Sequence, residues 1–150
     1  MSKLTLEEGL AENGFLTYRI RGVSMQPMLR QGRDLFTVVP KGLERCKKYD
    51  VVLYRRTSDP YVLHRVIEVR PDSYVILGDN CIAKEYGIRD EDIIGVLTSF
   101  THNGKVVPVS DGRYQLYCRV WVLLTPLRIA LKKAIGKLRR LTKRCSAHEA

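Results

Sequence analysis

Seven short runs rich in Val, Ile, Tyr and Leu follow one another between Phe15 and Val109, and this succession constrains the fold more than any other feature of the sequence. The runs are Phe15 to Arg21, Asp34 to Val39, Asp50 to Arg56, Tyr61 to Arg70, Ser73 to Leu77, Ile93 to Thr101 and Lys105 to Val109. Turn residues punctuate them at Asp59-Pro60, Pro71-Asp72, Gly78-Asp79-Asn80 and Asn103-Gly104. Closely spaced strands, most with no helical period between them, predict a mainly β fold: a curled antiparallel sheet or partial barrel.

Helical signals flank this region. Thr5-Leu6-Glu7-Glu8 reads as a capping box, Leu4, Leu6 and Leu10 form a weak apolar stripe, and Gly14 can close the helix, so residues 1–14 are assigned a short N-terminal helix. Residues 15–111 are assigned to the β domain and 112–150 to a helical tail. In that tail Val120, Leu124, Leu127, Leu131, Ala134, Ile135, Leu138 and Leu141 fall within about 120° of one another at helical spacing. Arg128, Lys132, Lys133, Lys137, Arg139, Arg140, Lys143 and Arg144 fill the opposite arc, and Pro126 starts or kinks the helix.

Charge sharpens the contrast. The 150 residues, enough for one domain with a sizeable core, carry a formal net charge of +10. Residues 1–118 hold 17 basic and 15 acidic side chains, whereas residues 119–150 hold 9 basic and one acidic. A basic amphipathic helix suits an anionic membrane surface contacted through residues 119–144, with Tyr114, Tyr117 and Trp121 as interfacial residues. The competing reading packs the apolar stripe on the protein's own sheet. The apolar stretch Val120 to Leu127 is far shorter than the roughly 18 to 20 residues of a span. Nucleic acid is disfavoured as a partner, because no aromatic interleaving or binding motif accompanies the charge.

Met1 to Asn13 is acidic and lacks an apolar core, so no secretory signal is expected, and the location expected is cytoplasmic, with peripheral contact on the inner face of the membrane. Cys46, Cys81, Cys118 and Cys145 lie 35, 37 and 27 residues apart with no C-x-x-C pair, which argues against a metal site and for reduced thiols. No metal or organic cofactor is expected.

Three stretches of the β region carry residues fit for chemistry: Gly22-Val23-Ser24-Met25-Gln26-Pro27, Val62-Leu63-His64-Arg65-Val66 and Ile76-Leu77-Gly78-Asp79-Asn80. Singly, each has a structural explanation: Ser24 as a turn residue, His64 as a core histidine, and Asp79-Asn80 as a hairpin turn. Together they supply the parts of nucleophilic catalysis. A serine hydroxyl needs a base to take its proton, an imidazole suits that task near neutral pH, and a carboxylate can fix the imidazole tautomer. Of the three histidines, only His64 lies inside a strand run. Strand alternation puts His64 with Val62 and Val66 on one face, and Leu63 with Arg65 on the other. Gly22 permits close backbone approach, Pro27 stiffens the loop, and Met25 and Met28 anchor it.

The box Gly22-Val23-Ser24-Met25-Gln26-Pro27 resembles the S-M-x-P nucleophile box of the signal peptidase and LexA-like serine peptidases. Tyr49-Asp50-Val51-Val52-Leu53-Tyr54 is similar to their G-D-[IV]-V strand, His64-Arg65-Val66 to their base-bearing strand, and Gly78-Asp79-Asn80 to their G-D-N box, all in the same order. The resemblance covers roughly Gly22 to Val96, and His64 stands where two branches of the superfamily use lysine, as in the Ser/His branch of signal peptidases. It implies a sheet of the LexA/signal peptidase type, with Ser24 as nucleophile, His64 as base and Asp79 as the orienting acid. Glu85 is the counterpart of a second acid that this branch carries after its G-D-N box. Met28 follows the nucleophile box where relatives often have Thr, and Gly22 brings no hydroxyl, so the oxyanion hole would rest on the Ser24 backbone amide, with Gly22, Met25 and Pro27 as loop support.

The expectation is therefore a serine endopeptidase that cleaves a leader segment bound in extended form. A non-catalytic peptide-binding or membrane-peripheral adaptor and a self-cleaving regulator are the alternatives.

Overall fold

The protein, seen in a computed structural model, is described for residues 6–57 and 61–147, with side chains through residue 142. The Thr5 end of the expected capping box, Leu4 and the Asp59-Pro60 turn lie outside the described residues. Helix α1 (Leu6–Asn13) leads into strands β1 (Leu16–Arg19), β2 (Leu35–Pro40), β3 (Val51–Tyr54), β4 (Val62–Val69), β5 (Tyr74–Leu77), β6 (Glu85–Ile88), β7 (Ile93–His102) and β8 (Lys105–Pro108). Helices α2 (Gly112–Leu123) and α3 (Thr125–Ala147) follow. The eight strands form one open sheet in the order β1-β2-β7-β3-β4-β5-β6, with β8 added to β7, and every pairing is antiparallel. A mainly β, antiparallel architecture is what the seven runs predict.

Local chemistry explains most boundaries. Glu7 and Glu8 sit at the positive end of the α1 dipole, and the Gly14 amide closes the helix on the Leu10 carbonyl at 3.0 Å. Asn103 (φ 51°) and Gly104 (φ 76°) both take left-handed backbone, the geometry of a tight two-residue hairpin between β7 and β8. The Asp111 carboxylate caps α2 by accepting from the Arg113 and Tyr114 amides. Leu124 ends α2, and Pro126 falls in the first turn of α3, where its missing N–H has no helical partner to lose.

Strand β6 is the element the sequence does not announce. Its four residues, Glu85-Tyr86-Gly87-Ile88, have no apolar alternation, and Gly87 at φ 75° breaks the ladder to β5. It exists because β5 has an unpaired edge to offer.

Alternation along the central strands divides the core in two. Leu10, Met25, Met28, Leu29, Val51 and Leu53 belong to one cluster, whereas Val52, Tyr54, Val62, Val66 and Ile76 belong to the other. Strand β3 contributes to both and is buried along its whole length. Helix α2 belongs to the first cluster through Tyr114 and Cys118, so it is part of the domain core. The interfacial role expected for Tyr114, Tyr117 and Trp121 is corrected accordingly: their rings stack in succession, 6.4 Å and then 5.4 Å apart, and all three direct polar atoms into the domain.

Candidate active site

Antiparallel pairing sets His64 opposite Val52, with Tyr54 further along the same face of the sheet. The side chain of His64 is almost fully buried, and its Nδ1 lies 3.1 Å from Glu85 Oε1 and 3.2 Å from the Tyr54 hydroxyl. That hydroxyl already donates to Glu85 at 2.7 Å, and a carboxylate can only accept. The proton on the ring therefore belongs on Nδ1, donated to Glu85, and Nε2 carries the free lone pair. Burial pushes His64 below its ordinary 6.5; the Glu85 carboxylate pulls it partly back and Arg56 lowers it. The neutral, base-competent form is thus favoured at neutral pH. Burial would raise the Glu85 carboxyl, but hydrogen bonds from Arg56 and Tyr54 and the nearby His64 outweigh it and hold the group below its usual value.

Nε2 faces the start of the G-D-N turn. A methyl group added at Gly78 would meet His64 Nε2 at 2.9 Å, the Ser24 carbonyl at 2.8 Å and Cys81 Sγ at 2.7 Å, so only glycine allows these groups to converge. The turn also holds the Ser24 loop: the Asn80 amide donates to the Ser24 carbonyl at 2.7 Å, and its side-chain amide to the Val23 carbonyl at 3.1 Å. Within the loop Met25, Met28 and Leu29 are buried, whereas Ser24 is half-buried. Gly22 stands at φ 76°, a conformation that L side chains rarely adopt, which explains glycine there on backbone grounds. Pro27, in a cis peptide after Gln26, is exposed.

Asp79 does not orient His64. Arg65 donates Nε and Nη2 to its two oxygens at 2.8 Å each, and the Tyr117 hydroxyl adds a third bond at 2.9 Å. Both members of the ion pair are buried, and alternation requires the correction: Arg65 neighbours His64 in sequence, so it points through the opposite face of β4. There it also reaches Met28, Tyr114 and Cys118. Burial works against the Arg65 charge, and the Asp79 carboxylate more than offsets it. The residue expected as second acid, Glu85, is the carboxylate that meets the imidazole.

Several residues around the site are given no role there by sequence reasoning. Tyr54 was detectable, since two-residue periodicity from Val52 puts it beside His64; Arg56, Cys81, Arg128 and Lys132 had no such signal. Arg128 lies 4.0 Å from the Trp121 ring centroid and donates to the Asp79 carbonyl at 2.7 Å, while Lys132 holds the Asn80 carbonyl and side-chain oxygen. Two cations of α3 thus secure the turn that secures Ser24. Burial raises the Cys81 thiol above its ordinary value, with the Lys132 charge opposing. Among the described residues, no three His, Cys, Asp or Glu side chains are grouped to hold a metal ion.

Ser24 and His64 line two different clefts. One of about 450 Å³ runs past Ser24 along Tyr18, Arg19 and Ile20 to Leu53 and Leu63. The other, about 740 Å³, lies between His64, Glu85 and Cys81 on one side and Lys132 and Ile135 of α3 on the other. No protein-family model matches this chain, and no curated protein matches it either.

Proposed function

We propose that this protein is a serine endopeptidase of the signal peptidase-like type, built on a sheet of the LexA/signal peptidase kind, which cleaves a leader segment of a peptide or protein. The observation that carries the reading is the state of His64: Nδ1 is engaged by Glu85 and Tyr54, burial keeps the ring neutral, and Nε2 is turned toward the Gly78 backbone beside Ser24. Ser24 Oγ attacks the scissile carbonyl carbon as its proton passes to Nε2, and the Ser24 amide faces the developing oxyanion. The imidazolium, stabilised by Glu85, then protonates the leaving amine, and an acyl-enzyme forms. Water activated by the same nitrogen releases the acid and regenerates Ser24. The substrate fits an extended conformation, since β1 is the outer strand of the sheet and its free edge borders the Ser24 cleft.

Mass-spectrometric comparison of peptide N-termini in the native host tests this, with wild type against Ser24→Ala and His64→Ala. The same set of processed ends disappears in both variants at unchanged protein level. Termini identical in all three strains overturn the reading.

A peptide-binding adaptor is the second reading, favoured by one observation: Ser24 and His64 line different clefts. On that reading Ser24→Ala keeps full function.

A further inference from the structure

Helix α3 turns Arg128 and Lys132 toward the protein and its leucines away from it. Arg128 and Lys132 are partly buried against the Asp79-Asn80 turn, and Ile129 and Gly136 beside them are also only partly exposed. The arc Leu127, Leu131, Ile135, Leu138 and Leu141 is 66%, 59%, 42%, 62% and 50% exposed, so the sheet does not cover the stripe. Leu116, Val120 and Leu123 of α2 add further exposed apolar side chains. An uncovered leucine face of this length on a domain whose central strands are buried calls for an occupant.

Charge selects which one. Lys133, Lys137, Arg139 and Arg140 are all exposed, and helical spacing puts Lys133, Lys137 and Arg140 along one side of the stripe and Arg139, which lines the cleft beside Lys132, along the other. Residues 119–148 include no Asp or Glu, so a second copy of this chain would oppose like charge to like along the whole helix. No helix among the described residues is long and apolar enough to cross a membrane, which leaves a position in the plane of the interface. We propose that α3 is a membrane-surface helix that lays Leu127, Leu131, Leu138 and Leu141 at the headgroup–acyl boundary of an anionic bilayer, with Lys133, Lys137, Arg139 and Arg140 at the lipid phosphates. The Arg128 and Lys132 contacts carry the attachment directly to the turn beside Ser24. Because the surface is separate from Ser24 and His64, the inference goes beyond the peptidase reading and does not depend on it.

Co-sedimentation of the full chain with large unilamellar vesicles tests it. One set is pure phosphatidylcholine and the other contains about one-third phosphatidylglycerol. Wild type partitions at least about ten-fold more strongly onto the anionic set, and raising the salt weakens the binding. Leu131→Glu/Leu138→Glu lowers anionic partitioning by more than about ten-fold, and Lys133→Gln/Lys137→Gln/Arg140→Gln lowers it and makes the salt dependence shallower. These positions are exposed, so circular dichroism and size-exclusion profiles stay those of the wild type, and Ser24→Ala binds as the wild type does. Equal partitioning onto both vesicle sets, no partitioning, or leucine variants that bind normally overturn the proposal. So does a dimer that the leucine variants dissociate in the absence of vesicle binding, because the occupant is then a second copy.

Discussion

Exchanging Glu85 and Asp79 for their amides separates the acid that serves His64 from the acid that serves the fold. In Asp79→Asn, Arg65 keeps its charge in a fully buried position and loses the carboxylate that accepts two of its hydrogen bonds. Breaking a buried pair in this way costs about 3–5 kcal/mol, which lowers a urea midpoint by roughly 2 M at a slope of about 2 kcal/mol/M. Glu85→Gln is different, because Glu85 and Arg56 both retain contact with water, their side chains being 19% and 37% exposed. Losing those charge-assisted hydrogen bonds costs about 1.5 kcal/mol. The chemical effect runs the other way: without the carboxylate the Nδ1–H tautomer and the imidazolium are no longer held, which slows proton transfer by about 10²-fold or more. The assay is the rate at which a fluorophosphonate probe labels Ser24 in each variant, measured well below its own urea midpoint. Glu85→Gln labels slowly while nearly as stable as wild type; Asp79→Asn labels near the wild-type rate while folded, and melts early. A folded Asp79→Asn that labels slowly beside a Glu85→Gln that labels normally refutes the assignment.

The labelling rate should fall along an acid limb that lies below pH 6.5, since the buried imidazole of His64 protonates below that ordinary value; a limb above 6.5 contradicts the burial argument. The same shift makes the unfolded chain the better proton acceptor between the folded and unfolded values, so stability falls as pH drops below about 6.5, and His64→Gln flattens this stretch of the urea-midpoint profile. Gly78→Ala puts a methyl 2.8 Å from the Ser24 carbonyl and 2.9 Å from His64 Nε2. It should destabilise by about 1–3 kcal/mol and abolish labelling; normal labelling shows that the two groups need not converge there. Maleimide should modify Cys81 slowly at pH 7 and faster as pH rises toward and above 9.0, and the adduct should block Ser24 labelling, as peptide mapping and probe fluorescence can show.

Much of the fold was legible because its strongest elements are local. Leu63 and His64 fall on opposite faces of β4 as alternation alone requires, and the Asn103-Gly104 turn follows from the backbone those two residues tolerate. The site was legible only in part. The Ser24 carbonyl and His64 Nε2 both approach Gly78, but which carboxylate reaches the imidazole depends on the face from which each arrives. Asp79 comes up on the side of Arg65, whereas Glu85 arrives on β6, a strand with no apolar period of its own that forms by pairing with the free edge of β5.

The sequence by itself determined the mainly β antiparallel class, the two faces of the central strands and the amphipathic period of the last helix. Those properties follow from side-chain type and from periods of two and 3.6 residues, which act over a few neighbours. Tertiary structure alone decided that Arg65 takes Asp79, that Glu85 takes His64, and that α3 faces the domain with Arg128 and Lys132 while its leucines stay outside. Each of these outcomes is a competition between partners tens of residues apart. It is settled by which side chain fills a buried polar group's hydrogen bonds at the least cost, a comparison that no local pattern contains.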